Sequence, residues 1–274
     1  MQREIMEAEI NKRRAKFLAD QEFAKWQRNK TELEIVDEFA RLQEWRHKIW
    51  FVDPHVSLLQ TQPEFKLSTN LLTNRYYRNA AAIAFEYNNS VPNYNASSIL
   101  INGLRFVAFE APSHKSISAF QAMLKNLGVT HVVRLTPQFE NEVETCFPYW
   151  HDNLLREAKI NYVFTDNWYD NMGGDAQELL TLIENTRKVQ HSEQLIGVHC
   201  YAGVARSGTF ITGYVLLNEI DQQLAAGRNV AELEISIEKI IKDLSLQRFY
   251  MVGQPTQYVT LHKLVALYLD KSKR

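Results

Sequence analysis

A short apolar run, Leu195-Ile196-Gly197-Val198-His199, leads straight into Cys200-Tyr201-Ala202-Gly203-Val204-Ala205-Arg206-Ser207-Gly208-Thr209, and an apolar stretch from Ser207 to Leu217 follows. The first run reads as a buried strand and the last as a buried helix, so the chain must turn from strand to helix within a few residues. Such a turn aims successive backbone N–H groups and the positive end of the helix at one point, which suits an anion. Gly203 allows backbone angles that a side chain resists. Arg206 has a planar fork that grips two phosphate oxygens, as lysine does not. The same field favours the Cys200 thiolate over the thiol, and a thiolate facing a bound phosphate is a nucleophile in place. A buried structural role is the ordinary fate of a free cysteine. Cys, Gly, Arg and Ser together at a strand-to-helix turn argue for chemistry instead.

The rest of the pattern predicts an α/β (α+β) fold, a central mixed twisted sheet flanked by helices. Val129 to Leu135 and Ile160 to Thr165 read as further strands, from short β-branched runs. Helices are expected over Ala119–Asn126, opened by Ser116 or Ser118 and closed by Gly128, over Ala176–Gln190, around Ala231–Leu244 and near Thr256–Leu269. Asp53 to about Asn102, punctuated by Pro54, Pro63 and Pro92, reads as loops and short strands. Thr31 with Glu34 forms a capping box, and Val36, Phe39 and Leu42 follow at helical spacing. Residues 1–30 are dense in charge, without Gly or Pro, and read as a helical N-terminal extension to a catalytic domain over 31–274. Packing on that domain is the expected role of the extension; binding an unknown partner is the alternative.

Charge and cysteine content narrow the setting. With 31 basic against 32 acidic side chains, the net charge of -1 argues against general nucleic-acid binding. No apolar run reaches the ~20 residues a membrane span needs, and the start, Met1-Gln2-Arg3-Glu4, lacks a signal peptide's apolar region. Two cysteines, Cys146 and Cys200, make no disulfide framework. A reducing, cytoplasmic setting is the natural reading; delivery into a host cell by a route without a signal peptide is the alternative. There is no HExxH, no paired CxxC and no GxxxxGK[ST], so neither a metal nor a nucleotide cofactor is expected.

The loop resembles that of the protein tyrosine phosphatase family, HCxxGxxR followed by Ser or Thr, and His199, Cys200, Gly203, Arg206 and Ser207 fill its fixed places. Shorter stretches resemble the phosphotyrosine-specific branch in the same order along the chain. Asn74-Arg75-Tyr76 is similar to the end of its KNRY loop, and Asn93-Tyr94-Asn95-Ala96-Ser97 to its YINAS segment. Leu135-Thr136, Glu140, Cys146 and Tyr149-Trp150 match the spacing of its LT…E…C…YW stretch. Trp168-Tyr169-Asp170 resembles the mobile WPD loop with Tyr in place of Pro, and Gln247-Arg248 through Gln257-Tyr258 resembles the Q-loop.

The resemblance implies a two-step hydrolysis of phosphotyrosine through a phosphocysteine, with a phosphotyrosine-containing protein or peptide as partner. It makes Cys200 the nucleophile, Arg206 the phosphate clamp, Asp170 the acid and then the base, and Ser207 the hydroxyl that stabilises the departing thiolate. The amides of Tyr201, Ala202, Gly203, Val204 and Ala205 would cradle the phosphate, and Tyr76 would wall a slot too deep for phosphoserine. His199 would tune the cysteine, Glu140 would hold Arg206, Trp168 would support the acid loop, and Gln257 and Gln254 would hold the attacking water. By direct count, Gly253 stands at the family's first glutamine and Arg78 at its peptide-binding aspartate. Two other functions compete. A phosphoinositide phosphatase would want cations in the loop, where Tyr201, Ala202, Val204 and Ala205 carry none, although Arg75 and Arg78 lie on another segment. An inactive phosphotyrosine-binding module would have lost the Cys, Arg or Asp, and all three are present.

Overall fold

The computed structural model describes residues 12, 14–19, 21–48, 94–151, 160–188 and 195–272. The expectations for Tyr76, Arg75, Arg78 and Asn93, and for the loops between Asp53 and Pro92, lie outside the described residues. Among the described residues, five strands form the main sheet in the order β1-β2-β7-β3-β6. β1 (Ala96–Ile101) and β2 (Leu104–Glu110) are antiparallel. β3 (Val129–Arg134), β6 (Asn161–Phe164) and β7 (Leu195–Cys200) run parallel to β2. Two further short strands, β4 (Phe139–Glu140) and β5 (Val143–Glu144), make a separate ribbon.

The hairpin β1–β2 was legible but not resolved in the broad loop reading. Its two-residue turn is Asn102-Gly103, with φ of 50° and 77°. That dipeptide is the usual choice where both central residues need the left-handed region.

The parallel pairing decides where the chemistry sits. Glu110 of β2 lies opposite Cys200, and Arg134 of β3 lies opposite both His199 of β7 and Phe164 of β6. The carboxyl ends of β2, β7, β3 and β6 therefore share one edge, and the loops that leave them converge there. Ligands of parallel sheets bind at that edge.

β7 is central and buried along its whole length, which is why it reads as a continuous apolar run. Behind it α4 (Ala205–Ala225) is buried on almost every face; Phe210, Ile211, Val215, Leu216, Leu217 and Ile220 are all fully inaccessible. It is longer than the apolar stretch expected from Ser207 to Leu217. Around α4 pack α3 (Ala176–Lys188), α5 (Ile237–Gln247) and α6 (Pro255–Lys271), and α1 (Glu32–His47) lies outside them, against α6 and α5. On the opposite face α2 (Ile117–Leu127) closes a second core over Phe109, Val132 and Tyr149. The caps expected at Thr31 and Gly128 are present, and Gly128 takes a φ of 66°.

One boundary moves. The helix expected from Ala231 begins at Ile237, where the Ser236 hydroxyl accepts from the Lys239 amide at 3.2 Å. Val230–Glu232 makes only a tight 3-10 turn. A side-chain cap later in sequence outcompetes the earlier helical pattern.

Residues 14–19 are helical, whereas 21–30 lack the helix expected of the extension. Their backbone groups find partners on α5 and the segment before it. The Trp26 amide donates to Ile235 O (2.8 Å), the Ala24 amide to Glu238 Oε2 (2.6 Å), and Ser236 Oγ to Ala24 O (3.0 Å). Leu18, buried, packs against Leu246, and Arg14 pairs with Asp243 at 2.9 Å. Backbone groups satisfied by a neighbouring element no longer need a helical ladder. No helix among the described residues is long and apolar enough to cross a membrane.

Candidate active site

β7 delivers Cys200 to the sheet edge, and the loop from Tyr201 to Val204 turns into α4. Gly203 has a φ of 69°, and a Cβ there would collide with the backbone carbonyl of Phe109 and come within 2.8 Å of the Glu110 amide. Glycine is thus required twice, by its backbone angle and by the β2 terminus pressed against it. Gly203→Ala is expected to destabilise the fold by about 2 kcal/mol or more, read by urea unfolding. Unchanged stability would mean that the loop does not hold this conformation in solution.

The carbonyls of the loop are held on its outer side. Tyr201 O accepts from the Ala111 amide at 3.0 Å, Ala202 O from Arg248 Nη2 at 3.1 Å, and Gly203 O from Arg248 Nε at 2.7 Å. Arg248 is itself fixed by Asn95 Oδ1 (3.2 Å) and Ser97 Oγ (3.1 Å). Because carbonyl and amide of a trans peptide point in opposite directions, the loop's N–H groups are turned inward. The sequence comparison placed Arg248 in a segment but gave it no role. Nothing local could have done so, since a basic residue at the end of a helix ordinarily reads as a partner of the helix dipole.

Cys200 is 2% exposed. Burial by itself would raise its thiol, but the Arg206 guanidinium, the Ser207 hydroxyl and amide, and the Val204 amide outweigh it, and the thiol titrates below its ordinary range. The Ser207 hydroxyl, fully buried, makes no other hydrogen bond among the described residues. His199 is buried beneath, stacked on Phe109. Burial pushes its imidazole down to about 3, so the ring is neutral. Nδ1 lies 3.1 Å from Cys200 O, which can only accept, so Nδ1 carries the proton and Nε2 accepts from the Tyr149 hydroxyl at 2.7 Å. His199 thus fixes the backbone at Cys200 rather than exchanging protons.

Arg206 is fully buried and gathers the other loops. Its Nη1 donates to Glu140 Oε1 (2.6 Å) and Trp168 O (2.7 Å), and its Nη2 to Asp170 Oδ1 (3.2 Å). Burial works against its charge, while Cys200, Glu140 and Asp170 more than restore it. Its Nε–H makes no hydrogen bond among the described residues. Glu140 is a bridge: Oε1 also accepts from Thr136 Oγ1 (2.9 Å), and Oε2 accepts from the Asp170 amide (3.1 Å). Trp168, 3% exposed, donates through its indole to Met172 O at 2.9 Å.

Gln257 and Gln254 meet the loop that carries Asp170 rather than Cys200. Gln257 Oε1 accepts from the amides of Gly253 (3.0 Å) and Gln254 (3.3 Å), and its Nε2 donates to Met172 O at 3.3 Å. Gln254 Nε2 donates to Asn171 Oδ1 at 2.9 Å. The structure therefore brings Cys200, Arg206, Ser207, His199, Glu140, Trp168 and Asp170 together, with the two glutamines one step behind the Asp170 loop.

Residues 154–267 match the family description Protein-tyrosine phosphatase. Tyrosine-protein phosphatase 2 of Schizosaccharomyces pombe is 24% identical over 209 residues, covering 62% of this chain and 29% of that protein. Receptor-type tyrosine-protein phosphatase N2 of Macaca nemestrina is 26% identical over 246 residues, covering 75% of this chain and 24% of that one. The chain thus spans less than a third of the length of these curated relatives. Among solved structures, the Trypanosoma cruzi protein tyrosine phosphatase TcPTP1 aligns with a TM-score of 0.63 at 21% identity, over 86% of this chain and 92% of that one. PTPN18 in complex with HER2-pY1196 phosphopeptides aligns with a TM-score of 0.67 at 17% identity, over 86% and 93%. The segment matched by sequence, residues 154–267, contains Cys200 and Arg206 and is similar to the protein tyrosine phosphatase family, and the fold around it is shared with solved protein tyrosine phosphatases.

Proposed function

We propose that this chain hydrolyses phosphotyrosine in proteins or peptides through a phosphocysteine. The observation that carries the reading is the buried Nε–H of Arg206, unpartnered among the described residues and beside a thiol biased toward its anion. A phosphate in the loop would take Nε and Nη2 as a bidentate pair. That exchange frees Asp170 from Nη2 and leaves its carboxyl to the leaving group. Cys200 Sγ then attacks phosphorus as the P–O bond to the ring breaks, and Asp170 protonates the departing oxygen. In the second step Asp170 takes a proton from water, the water oxygen bonds to phosphorus, and the P–S bond breaks. The Ser207 hydroxyl steadies the returning thiolate. Gln254 and Gln257, expected to hold this water, gain no support from their present bonds, which run to the acid loop. We read residues 31–274 as the catalytic unit and 1–30 as an arm on it, supported by the contacts of Ala24 and Trp26 with α5 and the segment before it.

The test is phosphate release from a phosphotyrosine peptide, a phosphoserine peptide and a phosphoinositide. Turnover of phosphotyrosine alone is expected. Preference for the lipid, or tight phosphotyrosine binding without turnover, would replace the reading with the corresponding alternative. Asp170→Ala is expected to lower kcat about 10²- to 10⁴-fold with little change in peptide binding, since a proton donor acts on the transition state. Equal turnover would remove Asp170 from the role.

A further inference from the structure

Asp170 has on one side Tyr169, 55% exposed, in the place where proline would stiffen the loop. On its other side Asn171 takes a φ of 60°, a conformation that asparagine tolerates better than most residues. The loop must therefore be held by what it touches. Its later part rests on α6 through backbone and packing. Thr260 Oγ1 donates to Gly174 O at 3.2 Å, and Gly173 fits because a Cβ there would stand 2.7 Å from Thr256 O. The tip is held at Asp170 by Arg206 and Glu140, and at the adjoining residue by a further side-chain anchor. Gln254 Nε2 donates to Asn171 Oδ1 at 2.9 Å, and Asn171 Nδ2 donates onward to Asp170 Oδ2 at 3.4 Å.

We propose that Gln254 is a positioning residue that latches the Trp168–Gly174 loop in place through Asn171 and so orients the Asp170 carboxyl. This rests on the reading of Asp170 as the general acid. Two departures from the family pattern fit together here. Gly253 brings no side chain to the position of the family's first glutamine, and the amide one residue later is spent on the acid loop. Tyr169 leaves the loop without proline's restraint, and a side-chain bond at the adjoining residue supplies a restraint of similar size. A single neutral hydrogen bond shifts such an equilibrium about two- to tenfold.

The experiment compares Gln254→Ala, Asn171→Gly and the double variant with the parent. Glycine at 171 removes the amide while keeping the left-handed backbone accessible. kcat/KM is measured with aryl phosphates whose phenols range from weakly to strongly acidic, because this constant reports steps only up to cleavage of the ester. For weakly acidic phenols, which need the acid, each variant is expected to lose about two- to tenfold, and the double variant no more than the worse single one. For strongly acidic phenols the loss should vanish. A loss equal across the series, a loss in kcat with kcat/KM intact, or losses that multiply in the double variant would overturn the latch. The second of these would mark Gln254 as acting on the hydrolytic water. Amide hydrogen exchange over 168–174 gives a readout that needs no turnover. Faster exchange in Gln254→Ala supports the latch, and unchanged exchange overturns it. A parent that cleaves no aryl phosphate would sink the proposed activity alone, and the exchange result would still decide the latch.

Discussion

Cys200→Ser is expected to lower phosphate release by about four orders of magnitude or more, the scale seen when a nucleophile is removed from a site that acts as a unit. The substitution changes one atom in a position that is 2% exposed, so the fold should persist. What changes is ionisation. The Arg206 guanidinium and the amides of Val204 and Ser207 bring the thiol below its ordinary range despite burial. A serine hydroxyl starts so much higher that the same field leaves it neutral. Binding of a phosphotyrosine peptide should survive, because the cradle consists of amides and Arg206. The thiolate has its own signature: alkylation of the parent by iodoacetamide should continue at a pH where an ordinary thiol is protonated and slow. Turnover in the serine variant within tenfold of the parent would remove Cys200 from the nucleophile's role.

Arg206→Lys is expected to cost about 10³-fold in kcat/KM, near the upper end for loss of a preorganised donor at developing charge. Charge is conserved, so a merely Coulombic role would predict a small effect. Geometry is not conserved. Arg206 uses Nη1 for Glu140 and Trp168 O and Nη2 for Asp170, with Nε still free for an anion. One ammonium cannot occupy those directions together. The variant should therefore bind inorganic phosphate more weakly, and it should also loosen the acid loop, whose Trp168 carbonyl and Glu140 anchor lose a shared donor. Kinetics within tenfold of the parent, with unaltered phosphate affinity, would show that the planar fork is not needed.

The two predictions differ in how far the sequence could have led to them. Cys200, Gly203, Arg206 and Ser207 were legible because strand, turn and helix are contiguous. The turn from Cys200 to Arg206 is made by neighbouring peptides, and local sequence dictates local backbone. The capping box at Thr31 and the glycine stop at Gly128 were legible for the same reason. The Asn102-Gly103 hairpin carried an equally local signal that the broader loop reading passed over. The late start of α5 and the irregular course of residues 21–30 were not legible, since each depends on which distant group captures a backbone hydrogen bond.

The sequence by itself determined that a thiol, a glycine and an arginine would share one strand-to-helix loop. Only the tertiary structure decided what surrounds that loop. Glu140, 66 residues from Arg206, became its anchor. Arg248, 45 residues from Gly203, became the clamp on the loop's carbonyls. Gln254, 83 residues from Asn171, was turned toward the acid loop instead of the thiol. Gly203 proved indispensable for the space Phe109 leaves as well as for its φ. The parallel register of β2, β7, β3 and β6 is the physical reason. It brings loops far apart in the chain to one edge, and which side chains then meet depends on distances that a linear order of residues does not contain.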